Sequence, residues 1–125
     1  MIPMIINKTK NTILAKGIEI ADNSRKRSKG LMFRDSLPEN HALLMVFPKK
    51  GNHKIWMFGV RFPLDLVFLD SNKRVIEIHE NVKPLNLNPK TWKTYCSGKH
   101  AKYVLELNSG LVEKTRTGPG DLLEF

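Results

Sequence analysis

Residues 64–69, Leu-Asp-Leu-Val-Phe-Leu, are apolar at odd and even positions alike, and only Asp65 interrupts them. Successive strand residues point to opposite faces, so such a run needs cover on both sides and demands a layered fold. Just upstream stand Trp56, Met57, Phe58 and Phe62 with Arg61 among them, and Asp70 closes the segment. Charges set in so apolar a stretch need partners. Asp65, at a strand start behind Pro63-Leu64, is expected to accept bonds from nearby amides or from Arg61. Asp70 reads as the first residue of a turn.

Around this segment the chain is a series of short apolar runs, rich in β-branched and aromatic residues and separated by turn signals, which predicts a mainly β protein. Residues 4–6 and 12–21 form an expected hairpin; the apolar phase jumps across Lys16-Gly17, as at a glycine bulge. Asp22, Asn23 or Ser24 can cap the main helix, over residues 24–34. A buried strand over 42–47 ends at Pro48, and the turn at 49–52 returns the chain into 54–58 as a second hairpin. Strands follow at 64–69, 74–80, 101–107 and 122–125, with a polar loop over 81–99 and a short helix near 109–115. Antiparallel neighbours joined by short turns indicate a single domain, 1–125, built as an antiparallel β-sandwich or partly closed, jelly-roll-like barrel.

Composition narrows the function classes. The 125 residues can bury a core without staples, and Cys96, the only cysteine, excludes an internal disulfide and a multi-thiolate zinc site. The apolar start at residues 1–6 breaks at Asn7-Lys8, too short for a signal core or a membrane span, so a cytoplasmic protein is expected. A formal charge of +9 favours nonspecific contact with nucleic acid or anionic surfaces. His41, His53, His79 and His100 show no metal-ligand spacing, and there is no phosphate loop, nucleophile elbow or Cys/His pair. Neither a catalytic residue nor a metal or other cofactor is therefore assigned.

Arg27, Leu31 and Arg34 stand at i, i+4 and i+7, which on a helix sets both guanidiniums along the stripe that buries Leu31. Asp65, Asp70 and Glu106 are their candidate partners. Trp56 and Phe58 share a strand face and are expected to pack inward; turned toward a groove they would offer a stacking wall. The exposed cations Arg25, Lys26 and Lys29, with Trp92 and Tyr95 in the polar loop, compose a candidate nucleic-acid surface that Lys83, Lys90, Lys93, Lys99 and Lys102 could extend.

Four ordered motifs, Arg27-Ser28-Lys29-Gly30-Leu31-Met32-Phe33-Arg34, Trp56-Met57 with Pro63-Leu64-Asp65 and Phe68-Leu69-Asp70, Tyr103-Val104-Leu105-Glu106-Leu107 through Gly110, and Gly118 to Asp121, resemble the uncharacterised family DUF192 (UPF0127) over residues 18–123. The resemblance implies a compact β-sandwich or barrel with a helix packed at the Gly-Leu-Met motif, and no agreed reaction, substrate or cofactor. Its motif residues carry over as structural or pocket residues: Arg27, Gly30, Leu31, Met32, Arg34, Trp56, Met57, Pro63, Leu64, Asp65, Glu106 and Gly110. Many relatives resemble exported proteins with an N-terminal signal, from which this chain departs.

The leading functional expectation is a non-catalytic, monomeric domain binding a small polar or anionic ligand such as a carbohydrate, through Arg27, Arg34, Trp56, Met57, Asp65 and Glu106. The alternative is a nucleic-acid-associated basic protein. A hydrolase using Asp65 or Glu106 as base ranks third, because no activated nucleophile or acid pair is identifiable.

Overall fold

A computed structural model describes residues 4–98 and 100–125; the apolar start expected to be too short for a signal core falls in part outside them, and the basic residue Lys99 wholly. Strands β1 (Ile5–Asn7) and β2 (Thr12–Ala15) form the first hairpin, and β10 (Leu123–Glu124) pairs with β1 to complete a three-stranded antiparallel sheet. The larger sheet orders β3 (Gly17–Ala21), β4 (His41–Gly51), β9 (Ala101–Asn108), β6 (Leu64–Leu69) and β7 (Val75–Val82). A two-stranded ribbon joins β5 (Ile55–Trp56) to β8 (Thr94–Tyr95), and the helices are α1 (Ser24–Lys29) and α2 (Leu111–Thr115).

The two-faced run at residues 64–69 lies where its composition requires. Every residue of β6 is buried, and the strand is hydrogen-bonded to β9 on one side and β7 on the other. Leu64, Leu66 and Phe68 join Leu43, Met45 and Val104 on one face, which Leu31, Leu37 and Met57 cover. Val67 and Leu69 join Ala42, Leu44, Leu105 and Leu107 on the other, against Ile5, Leu14, Val112 and Leu123. The product is a mainly β sandwich with two helices and no closed barrel, the architecture expected.

The local structure departs from the expectation in three places. The phase jump at Lys16-Gly17 is a change of sheet, not a bulge: the amides of Lys16 and Gly17 both donate to Asn40 O (2.7 and 3.1 Å), and β3 then runs parallel to β4. A parallel pair needs a long crossover, which residues 22–40 with α1 supply. Next, β4 continues through Pro48 to Gly51. Its ladder with β9 is interrupted between Val46 and Gly51, so the missing proline N–H costs no bond there. The expected hairpin at 49–52 is therefore absent, and β5 finds its partner in β8 from the polar loop.

The third departure is the length of α1. Asn23 caps it, its side chain accepting from the Lys26 amide at 2.9 Å, but the helix stops at Lys29. Gly30 adopts φ 48° and ψ −127°, a conformation open chiefly to glycine. Beyond it the chain is not helical, so Arg34 does not share a stripe with Arg27 and Leu31.

Candidate functional site

Glu106 lies on β9 opposite Leu43 of β4 and Leu66 of β6, on the face that carries Val104 and Met45. It is 4% exposed. No hydrogen bond or ion pair among the described residues reaches its carboxylate, and burial pushes its pKa up to about 7. An unpartnered carboxylate in that setting is costly and calls for an explanation.

The space above it supplies one. A cleft of 490 Å³ opens between α1, β4 and the segment 54–58, with Glu106 and Met45 in its lining. At Gly30 a Cβ would stand 3.3 Å from Met45 Cε and 3.8 Å from Glu106 Oε1, so the glycine both ends the helix and keeps room over the carboxylate. Arg27 reaches in from α1, donates from Nη1 to Val46 O at 2.9 Å and lies over the Phe47 ring at 5.1 Å. His53 stacks on that ring at 3.7 Å. Trp56 and Phe58 stack at 5.0 Å as an aromatic wall, and Ser24, Ser28, Lys29 and Lys54 complete the polar rim.

Of the six residues nominated from sequence, Arg27, Trp56 and Glu106 line this cleft. Arg34 does not: it forms a two-pronged ion pair with Glu19 of β3, both contacts at 2.7 Å, tying the loop after α1 to the sheet edge. The guanidinium holds the Glu19 carboxyl below its usual range, and the carboxylate holds the Arg34 guanidinium above its own. Met57 is core, packed with Leu31 and Leu66. Asp65 points to the opposite face, where its oxygens accept from the amides of Asn81 (2.9 Å), Gly110 and Val112 (both 3.0 Å). It is a structural acceptor holding the start of α2, and it bonds to none of Arg27, Arg34 and Arg61.

Other expectations resolve similarly. Arg61 pairs at the surface with Asp35, and Asp70 accepts from the amides of Asn72 and Arg74 in its turn. The alternation at 55–58 runs opposite to the expected phase: Ile55 and Met57 face inward, whereas Trp56 is 52% exposed. Met45, Phe47 and Lys54 carry no signal in the sequence, since none belongs to a motif or a polar cluster, and Ser24 and Ser28 are legible there only as a cap candidate and a motif residue, not as site residues. The only sequence sign of the cleft floor was an acid, Glu106, in an apolar strand.

The proposed nucleic-acid set is divided. Arg25, Lys26 and Lys29 are exposed on α1, while Tyr95 lines a second hollow of 570 Å³ with Lys83, Lys90 and Lys93. Trp92 is exposed near it and donates from Nε1 to Asn86 O at 2.7 Å. The β5–β8 ladder, pairing Trp56 with Thr94 and Ile55 with Tyr95, stands between the two hollows. Among the described residues no three His, Cys, Asp or Glu side chains are grouped to hold a metal, and no helix is long and apolar enough to cross a membrane.

Fold and site together define a class: a small mixed-sheet sandwich in which one helix and its following loop roof a cleft over a buried acid. The chain belongs to the DUF192 family, described as an uncharacterised ACR, whose profile matches residues 5–125. It is 35% identical to a UPF0127 protein of Pyrococcus abyssi over 98% of this chain and 97% of the relative, and 33% identical to one of Thermococcus kodakarensis over 98% and 73%. Among solved structures, a protein of unknown function from Novosphingobium aromaticivorans superposes with a TM-score of 0.86 at 26% identity, over 99% of this chain and 85% of the other. A Sinorhizobium meliloti protein described as a candidate transcription regulator superposes with a TM-score of 0.80 at 30% identity, over 97% and 89%.

Proposed function

We propose that this protein is a non-catalytic binding domain whose cleft over Glu106 takes a small polar ligand, with Arg27 and the Trp56–Phe58 wall as its other contacts. One observation carries the reading: a nearly sealed carboxylate, without a partner among the described residues, faces a cleft large enough for a small molecule. Aromatic rings beside polar donors suit the apolar face and the hydroxyl edge of a carbohydrate. Glu106 is the one acid in the lining among the described residues, and neither Ser24 nor Ser28 there has a general base bonded to it, which favours binding over turnover. The single cysteine suits a reducing compartment, and we place the domain in the cytoplasm as a monomer.

Amide shift mapping by NMR against a library of sugars and small polar metabolites tests this. Shifts gathered at residues 24–32, 45–47, 54–58 and 106 are expected, and Trp56→Ala should weaken whatever binds there. Hits scattered over the surface, or none, would overturn the reading.

A second reading is nucleic-acid association. The hollow lined by Lys83, Lys90, Lys93 and Tyr95, the +9 charge and the description of the Sinorhizobium meliloti neighbour favour it. Its mark is an affinity that falls steeply with salt and drops when Lys90 and Lys93 are replaced by Ala. No binding of single-stranded RNA or DNA at low salt removes it.

A further inference from the structure

The cleft is electrically divided along its depth. Glu106 stands at its floor, and among the described residues every other charged group in its lining is a cation: Arg27 and Lys29 from α1, and Lys54 from the segment before β5. The two ends are held apart. Arg27 is pinned to Val46 O, and Val46 lies three residues along β4 from Leu43, the partner of Glu106. At strand rise this separation is on the order of 10 Å. No hydrogen bond or ion pair joins Arg27 to Glu106, and burial is the cause of that group's raised pKa.

Such a field discriminates among ligands. A purely cationic molecule must pass three rim cations on a protein of charge +9, whereas a purely anionic one brings a second negative charge to Glu106. A neutral hydroxyl can donate to the carboxylate but leaves its charge uncompensated, whereas an ammonium supplies the hydrogen bond and the opposite charge together. A dipolar molecule satisfies both ends.

We infer that the cleft is built for a ligand carrying a positively charged amine at one end and an anionic group at the other, the amine seated on Glu106 and the anion held by Arg27, Lys29 and Lys54. The inference rests on the binding reading above and names the ligand class of that same site. Phe47 is already engaged by Arg27 and His53, so the stacked pair Trp56 and Phe58 supplies the other rings of the lining that a bound ammonium can meet.

Three simple probes test the division on the intact chain: methylammonium, inorganic phosphate, and phosphoethanolamine, which joins the two chemistries. Methylammonium should perturb amides around Glu106, phosphate those of α1 and Lys54, and phosphoethanolamine both sets, at least roughly tenfold tighter than either part. In Glu106→Gln the methylammonium response should disappear while the phosphate response stays. Methylammonium affinity should rise between pH 6 and pH 8 in the wild type as Glu106 loses its proton, and stay flat in the variant. Methylammonium shifts that survive in Glu106→Gln, an affinity that falls as pH rises, or a phosphoethanolamine affinity no better than that of its parts would overturn the inference. Neutral sugars bound in the cleft equally by wild type and Glu106→Gln would also overturn it while leaving the broader binding reading standing. Library hits away from the cleft would remove both.

Discussion

Asp65 and Glu106 sit on neighbouring strands of one sheet, both almost sealed from solvent, and they do opposite things. Asp65 turns toward α2 and receives three backbone amides, so its burial completes bonds that the start of α2 and the end of β7 would otherwise lack. Glu106 turns to the other face and receives nothing from the described residues, and its environment favours the neutral acid. Identical chemistry in adjacent ladder positions thus serves construction on one side and an open site on the other. The number of donors within reach, not the depth of burial, separates the two roles.

The contrast is most easily broken at Asp65. Asp65→Ala leaves three amides without their acceptor, that of Val112 in a buried residue, and urea unfolding should show a loss of about 3 kcal/mol. A loss below about 1 kcal/mol would mean the carboxylate is dispensable and the contrast false.

Glu106→Gln should act in the opposite direction. Between the ordinary carboxylate range and pH 7 the folded protein keeps a proton that the unfolded chain has lost. Wild-type stability should therefore fall as pH rises through that window and level off above it. The variant should lack this slope, match the wild type near pH 4 and exceed it by up to about 3 kcal/mol at pH 8, measured by chemical denaturation at each pH.

A third buried carboxylate sharpens the rule from the acid side. Burial alone would raise the pKa of Asp121. Bonds from Asn7 Nδ2 (2.9 Å), the Gly118 amide (3.0 Å) and Lys10 Nζ (3.0 Å) outweigh it and leave the group below its usual range. Its contribution is present at neutral pH and is lost as pH falls, the reverse of Glu106. Asp121→Asn should cost about 2 kcal/mol at pH 7 and progressively less in acid.

The smallest effect is expected at Gly30. Gly30→Ala should cost about 1 kcal/mol, because a side chain is disfavoured at φ 48°, and it should narrow the cleft above Glu106. A variant of full wild-type stability would show that the helix end does not need glycine; thermal unfolding decides it.

The particular residues show why some of this could be read from sequence and some could not. The interior placement of residues 64–69 followed from apolar side chains on both faces, and Asp65 as an amide acceptor followed from its position at a strand start. The short helix after Asn108-Ser109-Gly110 was legible from its turn residues. Arg34 was misplaced because a glycine within a helical pattern does not announce a stop. The positive φ of Gly30 occurs where Met45 and Glu106 crowd it from distant strands. The same holds for Glu106: both faces of β9 are packed, so the alternation of Leu105 and Leu107 with Val104 cannot say whether the acid meets a donor or a cleft. Phe47 and Lys54 reach the cleft because β4 runs past Pro48 and β5 pairs with β8, choices made by tertiary contact.

The central claim, that Glu106 is a buried acid left unpaired at the floor of an open cleft, can be measured directly on the side chain. A pH titration of the Glu106 carboxyl carbon by NMR should give a midpoint near 7 in the unliganded protein. A midpoint in the ordinary carboxylate range would contradict it, because it would mean that water or a donor already satisfies the charge.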